Sequence, residues 1–307
     1  MIKPFKTFIS SLLFPLTLTL GTSAMIIGAE AAINPETIAM IIAVTTIIIV
    51  HTAERLHPFR KEWNKNKGDV KADLTSLAVI LAALEPLMKL VTTWATSVAL
   101  IIVGSTYSLS IFPTEWPVLA QLAIFAVFAE FGRYWIHRAS HTRHHLWRVH
   151  ASHHSADRLY QFNGYRIHPI NHLWNYFLGQ FPLVLLGASE EIIMLYFVFS
   201  SITAAFQHSN IDSKNGLLNY IFSTNELHRW HHTTDKTVGH KNFGSVIIVW
   251  DIIFGSYYSG KDNVLDKVGL MSPKNYPINN FWLQMVAPFC WNRCVTNEPT
   301  NKEQIYS

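Results

Sequence analysis

The chain has 307 residues, half of them hydrophobic and only 14% charged, against roughly 25% charged residues in a typical soluble domain. That deficit of charge, together with ten Trp and nineteen Phe, favours a membrane protein over a soluble one. The net charge of +4 is modest, and the basic residues concentrate in particular loops. A nucleic-acid-binding module would need a basic stripe on a soluble domain, so no nucleic-acid partner is expected.

The N-terminal part predicts two membrane helices. Lys3 and Lys6 precede an apolar run over 8–32, which is long for a signal peptide and lacks a clear cleavage site, so we expect an uncleaved first transmembrane helix. A second apolar run covers 37–50 and leads into a basic segment, 55–67. By the positive-inside rule this segment and the N-terminus are both cytoplasmic, so the first two helices form a hairpin.

The next apolar stretch, 72–104, is too long for a single crossing. As one helix it would measure about 50 Å, against a hydrocarbon core of roughly 30 Å. Because Glu85-Pro86 interrupts it, we expect an interfacial or kinked first part and a crossing that begins at about Leu87. A polar turn over 105–117 on the outer side then precedes a returning helix, 118–136.

The rest of the membrane part predicts a hairpin. Two short apolar segments, 170–186 and 191–206, are marginal in length for a full span. Four full crossings plus a shallow hairpin, or six crossings, both fit. An arginine-rich stretch before the hairpin predicts a cytoplasmic loop; its members are Arg133, Arg138, Arg143, Arg148, Arg158 and Arg166.

We therefore predict an all-α integral membrane bundle with a cytosolic, histidine-rich helical cap. The predicted regions are 1–117 for the N-terminal helices, 118–260 for the histidine-containing domain, and 261–307 for an amphipathic segment with a polar tail. Cys290 and Cys294 match no zinc or redox motif and are expected to be two unremarkable thiols on a helix face.

The most informative stretch runs from His137 to His154 and reads HRASHTRHHLWRVHASHH. Histidines three and four residues apart share a helix face, and imidazole is the commonest neutral metal ligand in proteins. A second His-x-x-His-His motif follows some seventy residues later, and a lone histidine closes the apolar run between them. The predicted ligands are His137, His141, His150, His153, His154, His208, His228, His231 and His232.

The number of these histidines predicts two metals. Nine nitrogens exceed the three or four ligands of one zinc ion, and they suit two metals with about four or five nitrogens each. His144 and His145 are off the motif spacing and are expected at the surface or behind the ligands. Side chains that accept the outer ring N–H groups should orient the rings; the candidates, any of which could instead be a cap or loop residue, are Asp157, Asp235, Asp251, Asn163 and Asn242.

These motifs closely resemble those of the fatty acid hydroxylase/sterol desaturase superfamily. The resemblance lies in HRASH at 137–141, HASHHS at 150–155, RIHP at 166–169, FQHSNI at 206–211 and NELHRWHH at 225–232, and in the segment 241–258. It implies a small bundle of transmembrane helices with a cytosolic cap that holds two iron ions. The implied activity is O2-dependent hydroxylation or desaturation of a lipid C–H bond, with the nine histidines as the ligands.

The resemblance leaves one ligand position open. Some relatives carry another histidine one turn before the position of His208, where this chain has Ala204. His168, in RIHP, could supply a tenth ligand or order the loop, and ordering is favoured because a His-Pro pair is typical of a turn.

The electrons must come from another protein. The chain has no dinucleotide-binding glycine pattern, no haem-attachment motif and no iron–sulfur cysteine set. We therefore expect a reductase, ferredoxin or cytochrome to dock on the basic face, while the lipid enters from the bilayer between the helices that end near His137 and His208.

Three alternatives remain open at this point. Desaturation, ether cleavage or ring hydroxylation would use the same scaffold. A zinc-dependent membrane hydrolase is disfavoured because no His-Glu-x-x-His is present, and Glu226 lies outside the ligand spacing. A non-catalytic metal-binding or transport protein is disfavoured because transporter ligands are expected deep within the crossings, not at helix ends.

Overall fold

The computed structural model describes residues 3–103, 111–261, 263–270 and 275–295. In these residues the regular structure is helical, apart from three isolated β-bridges, so the all-α prediction is confirmed. Parts of two predicted regions, 105–110 and the tail 297–307, lie outside the described residues.

The first four helices are the membrane helices. Helix α1 runs through Lys3–Thr7, a π-helical turn Phe8–Leu12 and Leu13–Glu30, and α2 covers Pro35–Leu56. Helix α3 comprises Val70–Val79, the π-helical Ile80–Leu84 and Glu85–Val103, and α4 covers Val118–Thr142. These four are the described helices that are long and apolar enough to cross a membrane, which agrees with the predicted four crossings.

The remaining helices are shorter. Helix α5 covers His144–His154; α6 comprises Pro169–Asn175, the π-helical Tyr176–Gln180 and Phe181–Leu185; and α7 covers Glu190–Gln207. Helix α8 covers Asn225–His231, α9 Val249–Ile253, α10 Phe281–Val286 and α11 Trp291–Cys294. Single 3₁₀ turns lie at Lys61–Asn64, Gln161–Tyr165 and Gly216–Tyr220.

Local sequence sets where several of these helices begin. The Asn34 side chain accepts a hydrogen bond from the Thr37 N–H, with Pro35 at the first helical position of α2, a combination typical of a helix start. Ser189 caps α7 in the same way, and Gly187 takes a positive φ of 93° in the turn before it, which glycine adopts without steric cost.

Helix α3 is continuous through the long apolar stretch, and its apolar span covers Val70–Val98. The expected interfacial or kinked first part and the crossing from about Leu87 stay predictions. The π-helical turn Ile80–Leu84 lies directly before Glu85-Pro86. Pro86 has no N–H to donate within the helix, and a π-helical turn changes the hydrogen-bond partners there without ending the helix.

The hairpin of α6 and α7 packs into the bundle. Helix α7 contacts α1, α2 and α4, and one face of it is buried by large side chains, among them Ile192, Tyr196 and Ile202. The ends of α2 and α7 meet through Glu54, whose carboxylate accepts the backbone N–H groups of Gln161 and Asn210 at 2.8 Å each. The segment after α2, the histidine-bearing part and the end of α7 therefore lie at the same end of the bundle.

Two arginines of the predicted cytoplasmic loop, Arg158 and Arg166, are buried. Arg158 donates from Nε and Nη2 to both carboxylate oxygens of Asp69, at 2.9 and 2.7 Å. Arg166 Nε lies 2.5 Å from an oxygen of Asp73. These carboxylates stand at the start of α3, so the ion pairs join α3 to the loop after α5.

The cysteines also differ from the prediction. Cys290 and Cys294 form a disulfide with Cα atoms 5.5 Å apart, a separation that this bond requires, and do not remain two separate thiols.

The buried ion pair of Arg158 predicts a large stability effect. Removing one partner leaves the other charge buried and unpaired, so Asp69→Asn should lower the free energy of unfolding by about 3–5 kcal/mol. Thermal unfolding of detergent-purified protein measures this. Glu62→Gln, at an exposed position on the same loop, is the matched control, and equal unfolding temperatures for the two variants would contradict the prediction.

Candidate metal centre

The nine predicted histidines come together at one end of the bundle. His137 and His141 lie in the last turns of α4, α5 ends with His150, His153 and His154, and His208 follows α7 directly. His228 and His231 lie on α8, and His232 follows it. The side chains form two groups, the first of five and the second of four, each with ligand atoms within 4.8 Å of one another: His137, His141, His150, His154 and His231; and His153, His208, His228 and His232.

Each His-x-x-His-His motif contributes to both groups. Residues four apart on a helix are rotated by only about 40°, whereas adjacent residues are rotated by about 100°. Accordingly, His150 and His154 belong to the first group, while His153 belongs to the second. The neighbouring pairs in each motif therefore lie between the two groups and bring them side by side.

In the second group, four Nε2 atoms converge. Nε2 of His228 lies 2.9 Å from Nε2 of His208 and 3.0 Å from that of His232, and Nε2 of His208 lies 3.3 Å from that of His153. Two nitrogens bound to one metal at about 2.1 Å are themselves roughly 3 Å apart. The spacing of these four nitrogens fits a shared metal ion.

In the first group, inward-facing nitrogens are left without partners. Nε2 of His150 and His154 are 3.1 Å apart. The Nε2 atoms of His137, His141 and His231 are buried and have no hydrogen-bond partner in the described part of the chain. Buried polar atoms without partners are rare and costly, and a bound cation would satisfy all three.

Four of the outer ring nitrogens have partners that hold this orientation. Asn171 Oδ1 accepts from His150 Nδ1 at 2.7 Å, and Asn163 Oδ1 lies 2.9 Å from His208 Nδ1. The backbone oxygen of Phe243 accepts from His137 Nδ1 at 2.6 Å, and that of Lys241 accepts from His231 Nδ1 at 2.8 Å. A ring that donates from Nδ1 keeps its Nε2 lone pair for a metal.

Two buried carboxylates hold the loop that carries Phe243. Asp251 accepts from the N–H groups of Phe243 and Gly244 at 2.8 and 2.7 Å. Glu130, from the membrane helix α4, accepts from those of Ser245 and Val246 at 2.7 and 3.0 Å. Asp251 thus acts on His137 only through the backbone of residue 243.

Sequence reasoning missed Glu130 and Asn171. A lone acidic residue in an apolar helix is a usable signal, because intramembrane carboxylates are expensive and usually functional. Asn171, in the first turn of a helix, carries no such signal.

The other candidate residues lie away from the rings. Asp157 pairs with Lys67, and Asp235 accepts from Thr237 within its own turn. Asn242, at a positive φ of 57°, binds backbone groups of other segments. His168 caps α6 by accepting from the Ile170 N–H and contacts the Met285 carbonyl at 3.1 Å, so it orders this loop and does not join either group.

Burial keeps the rings neutral. It lowers the pKa of His150 to about 4 and that of His208 to about 3. Burial, reinforced by neighbouring rings, also lowers the pKa of the others well below the usual value, as for His153, His154, His228 and His232. Neutral imidazole is the form that binds metals.

A cavity of about 260 Å³ leads to both groups. It lies between α2, α3, α4, α6 and α7, and its walls include Ile47, Leu77, Ile80 and Phe197. At its inner end it is lined by His137 and His150 of the first group and by His153, His208 and His228 of the second. An apolar molecule that fills this cavity would contact histidines of both groups.

Comparisons with known proteins agree with this geometry. The fatty acid hydroxylase family model matches residues 122–256. The ornithine lipid hydroxylase OlsE of Rhizobium tropici is 31% identical over 92% of this chain and 84% of that protein. Human alkylglycerol monooxygenase is 27% identical over 59% of this chain and 38% of that protein. A Delta(7)-sterol 5(6)-desaturase of Aspergillus fumigatus is 29% identical over 51% of this chain and 46% of that protein.

No solved structure matches. The matched family segment contains every histidine of both groups, and the resemblance to the Rhizobium protein extends over nearly the whole chain. The chain belongs to the fatty acid hydroxylase/sterol desaturase superfamily and is a lipid-modifying oxidoreductase.

Proposed function

We propose that this protein is a di-iron, O2-dependent hydroxylase of a membrane lipid that takes its electrons from an external donor. The observation that carries the proposal is the division of nine neutral histidines, eight buried and His153 partly buried, into a group of five and a group of four at the end of a largely apolar cavity. Hydroxylation is preferred to desaturation because the relative matched over 84% of its own length is a lipid hydroxylase.

The two groups fit a pair of iron ions better than zinc. Zinc sites take three or four protein ligands, whereas the first group alone offers five nitrogens. In the proposed centre, the ligands of one iron are His137, His141, His150, His154 and His231, and those of the other are His153, His208, His228 and His232. When bound, such irons supply, with O2, the oxidising power that an unactivated C–H bond requires.

The chain's own residues contribute binding, orientation and the exclusion of water. Asn163, Asn171 and the carbonyl of Phe243 hold rings so that Nε2 faces inward. The cavity walls from α3 and α7 exclude water from the bound lipid and orient it toward the rings. No side-chain general base is needed in this scheme.

The hydrolase alternative lacks a suitable base. Glu226, the acidic residue next to the last motif, accepts from the backbone N–H of Asn215 and from the Asn219 side chain. It is therefore engaged in its own loop. A non-catalytic metal-binding role would not account for the cavity that opens onto both histidine groups.

The electron donor is proposed to dock at the histidine end of the bundle. Exposed basic residues after α2 include Lys61, Lys65 and Lys67, and they suit an acidic protein or anionic lipid headgroups. We propose that this end is cytoplasmic, in keeping with the positive-inside rule.

We predict that His153→Ala abolishes product formation while the protein still inserts into the membrane, because one of four proposed ligands of the second metal is lost. Lipid extracts of expressing cells, analysed by mass spectrometry, measure the product. His145→Ala, at an exposed position on the same helix, should retain activity. Full activity in the His153 variant would remove this histidine from the site.

A change behind the ligands should weaken metal binding without removing a ligand. Asn171→Ala deprives His150 of its Nδ1 partner, and the affinity for Fe(II) should fall about 10–100-fold. Competition with a chelator measures the affinity. Asn175→Ala, one turn further along the same helix, is the control: it lines the same cavity but is not among the hydrogen-bond partners found for the nine rings. Equal affinities for both variants would contradict the proposed role of Asn171.

The orientation has a separate test. Lys65→Cys, in a chain whose two native cysteines are replaced by serine, places a thiol at an exposed position of the basic segment. A membrane-impermeant maleimide should label it only after the membrane is opened. Labelling in intact cells would place the histidine end of the bundle outside.

A further inference from the structure

Arg133 is a cation within a membrane helix and lines the cavity. It lies on α4, one turn before His137 and thus about 6 Å from it along the helix axis, and it faces the same cavity. A charged side chain in a membrane span costs free energy, and such residues usually pair with another group or belong to a functional site. The other acidic or basic cavity-lining residue, histidines aside, is Glu85, which is hydrogen-bonded to His172 at 3.1 Å.

Within the described residues, only Nη1 of the Arg133 guanidinium has hydrogen-bond partners. Its Nη1 lies 3.2 Å from Glu130 Oε1 and 3.1 Å from the Tyr196 hydroxyl. Nε is buried without a partner, and Nη2 makes no hydrogen bond to the described part of the chain. Nε and Nη2 lie on the same edge of the guanidinium, and together they can donate two parallel hydrogen bonds to a carboxylate or phosphate.

Arg158 provides an internal comparison. It uses this same edge, Nε and Nη2, to bind both oxygens of Asp69 at 2.9 and 2.7 Å. Arg133 has the equivalent donors available and no carboxylate on them, while 18% of its side chain stays accessible.

The position of the side chain is restricted by close packing. A Cβ atom at Gly179 would lie 2.8 Å from Arg133 Cγ, and one at Gly132 would lie 1.7 Å from the Leu178 carbonyl oxygen. Glycine at both positions lets α4 and the π-helical turn of α6 approach each other. Glu130 and Tyr196 hold Nη1, so rotation of the guanidinium is restricted.

We propose that Arg133 is a specificity-determining residue that binds an anionic oxygen group, a carboxylate or a phosphate, of the lipid substrate. Because Arg133 is one helical turn from the histidines, the carbon presented to the metals would lie only a few bonds from that anionic group. The inference rests on the proposed lipid substrate and adds the chemical class of its polar end.

Binding of simple probes tests this without turnover. In a neutral detergent, wild-type protein should bind dodecanoate about 10-fold or more tightly than methyl dodecanoate, because charge-assisted hydrogen bonds are worth that factor. Dodecyl phosphate distinguishes a phosphate preference from a carboxylate preference. Arg133→Gln should bind the acid and the ester equally, whereas Arg138→Gln, one turn beyond and bound to Tyr134, should keep the wild-type preference.

Each result bears on the proposal. No preference in the wild-type protein, or an undiminished preference in Arg133→Gln, would overturn it. If Arg133→Gln does not fold, Arg133→Lys retains the charge and loses the two-donor edge, so its preference should fall below that of wild type. These affinities are measured without iron and O2, and a failure of the proposed oxidation would leave them unchanged.

Discussion

The structure depends on gathering nine imidazole rings, eight of them buried and that of His153 partly buried, at the end of a membrane bundle with their nitrogens facing one another. Neutral rings cannot satisfy this arrangement alone, because several inward Nε2 atoms either have no partner or lie about 3 Å from another Nε2. The pair of cations proposed above would resolve the conflict, and the hydrogen bonds to Asn163, Asn171 and two backbone carbonyls fix the direction of four of the rings. With those cations bound, metal binding and the fold of this region would be coupled.

Several buried ion pairs and hydrogen bonds hold the segments that carry these histidines in place. The ion pairs of Arg158 with Asp69 and of Arg166 with Asp73 attach α3 to the loop between α5 and α6. Glu130 and Asp251 hold the segment that presents the Phe243 carbonyl to His137. Buried charges of this kind contribute little net stability when paired, but removing one partner is costly, so they favour one arrangement of helices over others.

The sequence predicted the helical class, the four long apolar helices and the nine histidines, because hydrophobic run length and helical spacing are local properties. It did not predict which histidines share a group, since adjacent rings such as those of His153 and His154 diverge by about 100°, and only the packing of α4, α5 and α8 decides their partners. The ion pairs of Arg158 and Arg166 could not be predicted either, because their carboxylate partners lie about 90 residues earlier in the chain. The disulfide and the continuity of α3 likewise depend on geometry that spacing does not encode.

The metal content of the purified protein tests the central claim most directly. After reconstitution with Fe(II) under nitrogen, elemental analysis should find two irons per chain. His231→Ala and His232→Ala, adjacent residues from different groups, should each weaken a different one of the two sites. A single tightly bound zinc that iron cannot displace, or the same loss of both metals in every ligand variant and in His145→Ala, would contradict the account.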